Sequence, residues 1–444
     1  MKLIYGIKDK PKFSQMLIFA FQQVLAILAA TITVPTIVGN GMSIPAALLG
    51  AGLGTIVYQI FTKFRSPVFL GSSFAFIGPM LAAFAGGVSV GYLGLVMGAI
   101  FAGLVYVIIA LVVKFAGVNW INKVMPPAVI GPTVALIGLS LAGAAVNDVF
   151  SYGEKVSFGL NSYFIMSTSA WASFACAMVT FFVVILCSTY GKKMVKLIPF
   201  IIGILAGYVV ALAFTLLGND STKVIDLSVF DNLKVFEVPE FTFTKAFKAL
   251  DEFKPSYLAT VAVAYIPVAF VVFAEHLADH KNLSSIIEED LLKNPGLHRT
   301  LLGDGVGSMV GAFFGGCPNT TYGESVGCVA ITRNASIATI TTAAIMSIII
   351  SFFGPFVAFL DSIPGCVMGG VCVTLYGFIA VSGLKMIQKV DLNQNKNLFT
   401  VASILIPGIG SMALAVGEIY ITTTACALIL GIIVNLLLSK EKSE

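Results

Sequence analysis

Long apolar stretches alternate with short polar breaks along the whole chain. Apolar runs of about 18 or more residues are typical of membrane-spanning helices. The pattern predicts an all-α polytopic membrane protein with fourteen membrane-spanning segments, called spans below. Their approximate cores are residues 15–38, 43–61, 67–87, 89–113, 124–145, 163–189, 197–217, 257–279, 298–316, 318–332, 334–359, 363–384, 397–414 and 419–439.

Spans three and ten differ from the others because each begins near a proline, Pro67 or Pro318. Proline lacks a backbone N–H and disfavours a helical conformation in the residue before it. We therefore expect each of these two spans to begin as a short extended piece and to continue as a short helix.

The composition agrees with a membrane protein and excludes other classes. Hydrophobic residues make up 58% of the chain and charged residues 11%, whereas soluble domains have roughly 45–50% and about 25%. The 35 phenylalanines exclude an intrinsically disordered chain. The net charge of +4 is small, so no nucleic-acid partner is expected.

Neither the first apolar run nor the longest loop predicts an additional module. The apolar run from about Met16 to Val38 is too long for the core of a signal peptide, which has about 7–15 residues. The longest polar stretch, Asn219–Phe253, is too short for a usual soluble domain. We expect the membrane-spanning part to be the whole functional unit, with lipid as its surroundings.

The positions of the basic residues predict the orientation. With the N-terminus in the cytoplasm and fourteen spans, 20 of the 26 basic residues fall on the cytoplasmic side, as the positive-inside rule requires. Both termini are then cytoplasmic. The 20 residues are Lys2, Lys8, Lys10, Lys12, Lys63, Arg65, Lys114, Lys123, Lys192, Lys193, Lys196, Lys281, Lys293, Arg299, Arg333, Lys385, Lys389, Lys396, Lys440 and Lys442.

Two short motifs occur twice, in the same order, in the two halves of the chain. Gly71–Phe74 and Asn319–Tyr322 each follow a proline and contain two hydroxyl residues and an aromatic residue. Pro127–Gly131 is similar to Pro364–Gly369. The pattern predicts two repeats of seven spans, residues 1–217 and 257–444, joined by an extracellular-side loop at 218–256. Because seven is odd, the repeats must be inverted, as in secondary transporters.

The interrupted spans predict a binding site. Backbone groups left unpaired at such a break are tolerated only where they face protein or a water-filled cavity. Half-helices that start near Phe74 and Tyr322 would direct free N–H groups and positive dipole ends to the middle of the membrane. The two aromatic side chains could stack on a flat ring.

Four acidic residues lie within predicted spans: Glu275, Asp279, Asp304 and Glu324. A charged residue at the centre of a bilayer costs about 2.5–3.5 kcal/mol, so these acids are expected to have a function. Glu275 and Asp279 are four residues apart and share one helical face. Asp304 alternatively lies at the cytoplasmic end, near Arg299.

No lysine or arginine lies in the predicted spans that carry Glu275, Asp279 and Glu324, which disfavours a permanent salt bridge. Two carboxyl groups in one pocket of low dielectric can exchange a proton at cellular pH. We expect H⁺ coupling through Glu275, Asp279 and Glu324, with His280 and Asp304 as further candidates. Sodium is the alternative coupling ion, since carboxylates and backbone carbonyls also bind it.

Histidine and cysteine predict no metal site and no cofactor. His276 and His280 are four residues apart, but no third histidine or cysteine is close to them in the sequence. His298 is expected in a cytoplasmic loop. The seven cysteines form no Cys-x-x-Cys pair and are expected as buried apolar residues. No nucleophile–base pair stands out, so an enzyme is not expected.

Several of these motifs together resemble the nucleobase–ascorbate transporter family, in particular its bacterial uracil permease branch. The resemblance extends from Phe21-Gln22-Gln23 to the last spans, and the string Asn319-Thr-Thr-Tyr-Gly-Glu324 favours a pyrimidine over a purine. The other matching segments are Leu70–Phe76, Ala274–His276, Asp290–Leu292, Pro295–Arg299 and Ala330–Arg333.

The resemblance implies a core domain, about residues 15–113 and 257–359, and a gate domain, about residues 124–217 and 363–439. It also implies a homodimer formed through the gate domains and a bacterial cell membrane. Uracil would lie between spans three and ten. The implied substrate-binding residues are Phe74 and Gly323 through backbone N–H groups, Glu275 and Glu324 through carboxylates, Tyr322 beside the ring and Tyr376 from the gate domain.

One position departs from some uracil permeases, which have a histidine where this chain has Asp279. Either Asp279 couples the proton directly or the proton passes through Glu275 alone. Asp304 matches an acid of the purine-carrying branch, so its role stays open. The alternative functions are a permease for xanthine, another purine or another pyrimidine, a small-anion carrier of the same fold, and a channel.

Overall fold

The structure is a computed structural model that describes residues 3–117, 120, 124–158, 161–192, 194–231, 233–252, 254–416 and 419–440. It is predominantly helical. Among the basic residues counted above, Lys2, Lys123, Lys193 and Lys442 lie outside the described residues, as does Phe253 at the end of the polar stretch.

Eight helices in the described part of the chain are long and apolar enough to cross a membrane. This makes the protein a multi-pass membrane protein. The total of fourteen spans, their inverted repetition and the core and gate domains stay predictions. The eight helices are Phe13–Val38, Ile44–Phe61, Val88–Ala116, Pro127–Val149, Thr168–Tyr190, Pro199–Leu217, Pro255–Ile287 and Gly365–Ile387.

Shorter helices fill most of the remaining predicted spans. Three of them are apolar: Phe74–Phe84, Ile337–Ile350 and Thr423–Leu437. The other helices are Leu297–Gly315, which has 19 residues, and the short helices Met194–Leu197, Thr242–Lys248, Gly323–Thr332, Gly354–Asp361 and Asn395–Ile409. We call Phe74–Phe84 the first half-helix and Gly323–Thr332 the second half-helix.

Spans three and ten begin as extended pieces, as predicted. The strands Leu70–Ser72 and Asn319–Thr321 pair antiparallel, with Gly71 opposite Thr320. Each strand leads directly into its half-helix. The two motifs that the sequence repeat connects are therefore hydrogen-bonded neighbours.

Two further antiparallel hairpins were not predicted, and their positions correct the bounds of three spans. Glu154–Phe158 pairs with Asn161–Ile165, and Leu414–Val416 pairs with Ile419–Ile421. The second strand of the first hairpin overlaps the predicted start of span six, whose helix begins only at Thr168. A short apolar run cannot be assigned to strand or helix by hydropathy alone, because both structures bury such residues.

The chain forms two compact units: residues 1–137, 238–352 and 379–444, and residues 138–237 and 353–378. In the first unit, helices Ile44–Phe61 and Leu297–Gly315 are in very close contact. A Cβ atom at Gly50 would lie 2.5 Å from the carbonyl oxygen of Gly311. Small residues allow such close helix packing in membranes. The second unit packs helices Thr168–Tyr190 and Pro199–Leu217 in the same way, at Gly203 and Gly207.

The N-terminal segment, residues 3–12, is paired with residues 333–336. These four residues are the link that follows the second half-helix. Tyr5 and Asn334 form a parallel bridge, and the backbone N–H of Ile337 donates to the carbonyl of Ile7 at 3.1 Å. Ile7 is buried in an apolar cluster that also contains Leu70 and Val326. The segment therefore supports both the strand and the half-helix of the predicted site.

Ile7→Ala is expected to loosen this support. Removal of a buried Ile side chain costs about 2–5 kcal/mol of stability. We expect a lower melting temperature in detergent and faster tryptic cleavage after Lys8. Ile4→Ala is the matched control, since Ile4 is 59% exposed and Ile7 only 7%. Equal effects of the two variants would show that the segment is not anchored through Ile7.

Candidate functional site

The starts of the two half-helices carry backbone donors without side-chain caps. Neither Ser73 nor Tyr322, the residues before the two helix starts, makes a capping hydrogen bond through its side chain. The N–H of Ser73 donates to the carbonyl of Pro318 at 3.0 Å, which ties the two breaks together. The first N–H groups of each half-helix, at Phe74 and Gly323, are candidate donors for a ligand.

Tyr322 lies across the two paired strands. Its side chain is buried, and its hydroxyl donates to the carbonyl of Ser72 at 3.2 Å. A Cβ atom at Gly71 would lie 3.0 Å from the Tyr322 ring. Glycine at position 71 therefore leaves the space in which the ring packs.

Three of the predicted acids come together at this break. The hydroxyl of Thr321 donates to Oδ2 of Asp279 at 3.0 Å. A Cβ atom at Gly323 would lie 3.8 Å from Oδ1 of the same carboxylate. Glu275, one helical turn before Asp279, lies within electrostatic range of Asp279 and Glu324.

The described surroundings of these acids contain no fixed counter-charge. Glu275 and Asp279 are half-buried, and Glu324 is exposed in the first turn of the second half-helix. Within the described residues, none of the three carboxylates makes an ion pair with a lysine, arginine or histidine. The arrangement offers carboxylate acceptors beside backbone donors.

A buried acid–base pair lies behind this group. Nδ1 of His276 is 2.7 Å from Oδ2 of Asp304, and both side chains are almost fully buried. Nε2 of His276 is 3.0 Å from the hydroxyl of Thr300, and the hydroxyl of Thr320 is 3.5 Å from Asp304. The buried carboxylate of Asp304 therefore pairs with His276 rather than with Arg299, and its position relative to the cytoplasmic end stays a prediction.

The structure places His280 in a separate buried group. Its Nδ1–H donates to the carbonyl of His276 at 2.9 Å, and its Nε2 lies 2.7 Å from the hydroxyl of Tyr58. Ser66 completes this group at 2.7 Å from the Tyr58 hydroxyl. A role of His280 in proton coupling stays a prediction. The loop prediction for His298 was wrong, since it is the second residue of helix Leu297–Gly315.

Phe74 and Tyr376, the two remaining predicted binding residues, belong to different compact units. Phe74 is half-buried in the first turn of its half-helix. Tyr376 is buried within the second compact unit, and its contribution to the substrate site stays a prediction.

The hydrogen bonds of Thr320 and Thr321 were not predicted from the sequence. Successive residues of a strand point to opposite sides. Accordingly, Thr320 contacts Asp304 and Thr321 contacts Asp279. The predicted extended piece at Pro318 would have indicated this division, but not the acids that each hydroxyl meets.

The part of the chain that the structure describes offers no clustered metal ligands. No cluster of three or more histidine, cysteine, aspartate or glutamate side chains suits a metal ion among the described residues. All seven cysteines are free, and six of them are buried.

The sequence matches the permease family Xan_ur_permease over residues 14–417. The chain belongs to this family, the nucleobase–ascorbate transporters. It is 39% identical to a uracil permease of Bacillus caldolyticus, covering 98% of this chain and 95% of the relative. It is 38% identical to a uracil permease of Bacillus subtilis (strain 168), covering 100% and 97%. Membership in this family makes the protein a transporter rather than an enzyme.

A solved structure of the same fold is the transmembrane domain of the cyanobacterial bicarbonate transporter BicA. The likeness has a TM-score of 0.63 and covers 97% of the permease chain and 99% of that domain, at 15% sequence identity. At this identity the likeness concerns the fold alone.

Proposed function

We propose that this permease imports uracil by proton symport through alternating access. The observation that carries the proposal is the group of three carboxylates beside two uncapped half-helix starts. Uracil presents two ring N–H groups and two carbonyl oxygens on one flat ring. Carboxylates suit the N–H groups, and backbone N–H groups suit the carbonyls.

In this proposal each polar edge of uracil has a named partner. Glu275 and Glu324 accept hydrogen bonds from the ring N–H groups. The backbone N–H groups of Phe74 and Gly323 donate to the carbonyls, and Tyr322 lines the ring. The identity to uracil permeases of two Bacillus species supports the choice of substrate.

The size of uracil explains why so many partners are needed. Eight non-hydrogen atoms at a ceiling of about 1.5 kcal/mol each allow roughly 12 kcal/mol of binding free energy. Micromolar affinity requires about 8 kcal/mol. A base that leaves one buried partner unpaired loses about 1–3 kcal/mol, so the site would discriminate among pyrimidines through its polar edges.

Proton coupling would use the acids on helix Pro255–Ile287. Glu275 and Asp279 share one face and have no basic partner among the described residues. A proton bound there removes a negative charge from the low-dielectric site when the substrate enters. The loaded site would then open alternately to the two sides of the membrane.

We also propose that the protein is a homodimer in a bacterial cell membrane with both termini in the cytoplasm. The distribution of basic residues supports this orientation. The dimer follows from the family resemblance.

Uptake into proteoliposomes tests the proposed function. We expect radiolabelled uracil to accumulate under an inward proton gradient without sodium, and a protonophore to abolish the accumulation. Accumulation that requires sodium would overturn the proton as coupling ion. Absence of uptake with all gradients would overturn uracil as substrate, and competition by xanthine and other nucleobases would then identify the preferred base.

A small-anion carrier is the competing function, because the fold is shared with a bicarbonate transporter. Such a carrier needs a cation or an uncharged donor where the anion binds. Here the half-helix starts are accompanied by Glu275, Asp279 and Glu324, which repel an anion. Bicarbonate that competes with uracil in the uptake assay would favour the anion carrier.

A further inference from the structure

A cavity of about 640 Å³ lies at the N-terminal segment, separate from the substrate site. Its wall combines the segment before the first span with the first turns of helix Ile337–Ile350. The residues that line it are Ile7, Lys8, Asp9, Lys10, Pro11, Phe13, Met16, Phe64, Ile337, Ala338, Thr341 and Thr342.

One side of this cavity carries Lys8, Asp9 and Lys10, and therefore one net positive charge. Lys8 and Lys10 are exposed, and neither makes an ion pair within the described part of the chain. The carboxylate of Asp9 between them accepts a hydrogen bond from the backbone N–H of Gly6 at 2.7 Å. The two ammonium groups therefore remain available to an anion.

The other side of the cavity is apolar and exposed. Phe13 is 70% exposed and Phe64 is 49% exposed. The apolar surface continues along helix Phe13–Val38 through Leu17, Ile18 and Phe21, which are at least 36% exposed. A phospholipid at the membrane surface has a charged headgroup joined to apolar acyl chains. A charged edge next to an apolar stripe is therefore complementary to it.

The position in the chain agrees with that profile. The cavity lies at the first turn of the first span, where the chain enters the membrane. Lys8 and Lys10 belong to the basic group predicted on the cytoplasmic side. Basic pockets between spanning helices on that side bind the headgroups of anionic lipids.

We propose that this cavity binds one anionic phospholipid, with its phosphate at Lys8 and Lys10 and an acyl chain along Phe13 and Phe64. The lipid would hold the N-terminal segment against helix Ile337–Ile350. That segment is paired with the link after the second half-helix, so the bound lipid would stabilise the support of the substrate site. The proposal does not depend on which solute the permease carries.

Lipid binding to the delipidated full-length protein in detergent tests this. The probes are phosphatidylglycerol, phosphatidylcholine and glycerol phosphate as a soluble headgroup. Each lysine near a charged headgroup contributes about fivefold, so K8Q/K10Q should bind phosphatidylglycerol about 30-fold more weakly. K385Q/K389Q removes the same charge from two exposed residues on the same predicted side and should bind normally.

A second variant tests the cavity without a change in charge. A338W places a large side chain in the wall and should also weaken phosphatidylglycerol binding, with both lysines retained. Equal affinities of the wild type and K8Q/K10Q would overturn the site. Equal binding of phosphatidylcholine would overturn the need for an anion. Equally tight binding of glycerol phosphate would assign the cavity to a free phosphate rather than to a lipid.

Discussion

Glu275→Gln is expected to abolish gradient-driven uracil accumulation. The variant keeps the shape and one oxygen acceptor but cannot take up or release a proton. It also replaces a charged hydrogen bond to the substrate, which is worth about 1.5–3 kcal/mol, or roughly 10- to 150-fold in Kd. Uptake by proteoliposomes under a proton gradient measures the first loss, and equilibrium uracil binding measures the second.

Glu289→Gln is the matched control for this variant. Glu289 is an exposed acid just after the helix that carries Glu275. The Glu289→Gln substitution removes the same charge without touching the site. Uracil uptake by this variant should therefore equal that of the wild type. Wild-type accumulation by Glu275→Gln would remove this residue from the mechanism. Lost accumulation with retained binding would restrict Glu275 to proton coupling.

Asp304→Ala is expected to destabilise the protein and to weaken uracil binding. It leaves the buried His276 without its partner, and breaking a buried pair costs about 3–5 kcal/mol. For a chain of this length the loss corresponds to a melting temperature lower by roughly 3–5 °C. Binding weakens because Thr320, beside Asp304, belongs to the strand that leads to Tyr322. Melting in detergent and uracil binding measure the two effects.

A double-variant cycle separates the pair from a general packing effect. Asp304→Leu with His276→Phe removes both polar partners and should cost less than the sum of the single changes. Asp251→Ala, at an exposed position, should leave the melting temperature unchanged. Strict additivity of the two buried changes would show that His276 and Asp304 do not stabilise each other.

A fold shared with a bicarbonate transporter does not by itself determine the solute. Paired breaks with half-helices provide backbone donors whatever the side chains are. We propose that the residues beside the breaks select the solute. In this permease those residues are carboxylates and Tyr322, and a nucleobase offers the N–H groups and the flat ring that they require.

Much of the site could be predicted because membrane insertion makes acids and prolines conspicuous. Glu275, Asp279 and Glu324 were identified from the cost of charge in a span, and Pro67 and Pro318 indicated the extended pieces at Leu70–Ser72 and Asn319–Thr321. The pairing of Asp304 with His276 was not predicted, because the two residues lie on different helices. Contacts between residues on different helices leave no periodic signal.

By itself the sequence determined the membrane class, the two broken spans and the acids that accompany them, since each follows from solvation of single residues and local backbone rules. The tertiary structure alone decided which strand pairs with which, that Thr321 holds Asp279, and that the N-terminal segment joins the link after the second half-helix. These contacts join residues far apart in the chain. They depend on packing allowed by residues such as Gly50 and Gly71, which hydropathy does not record.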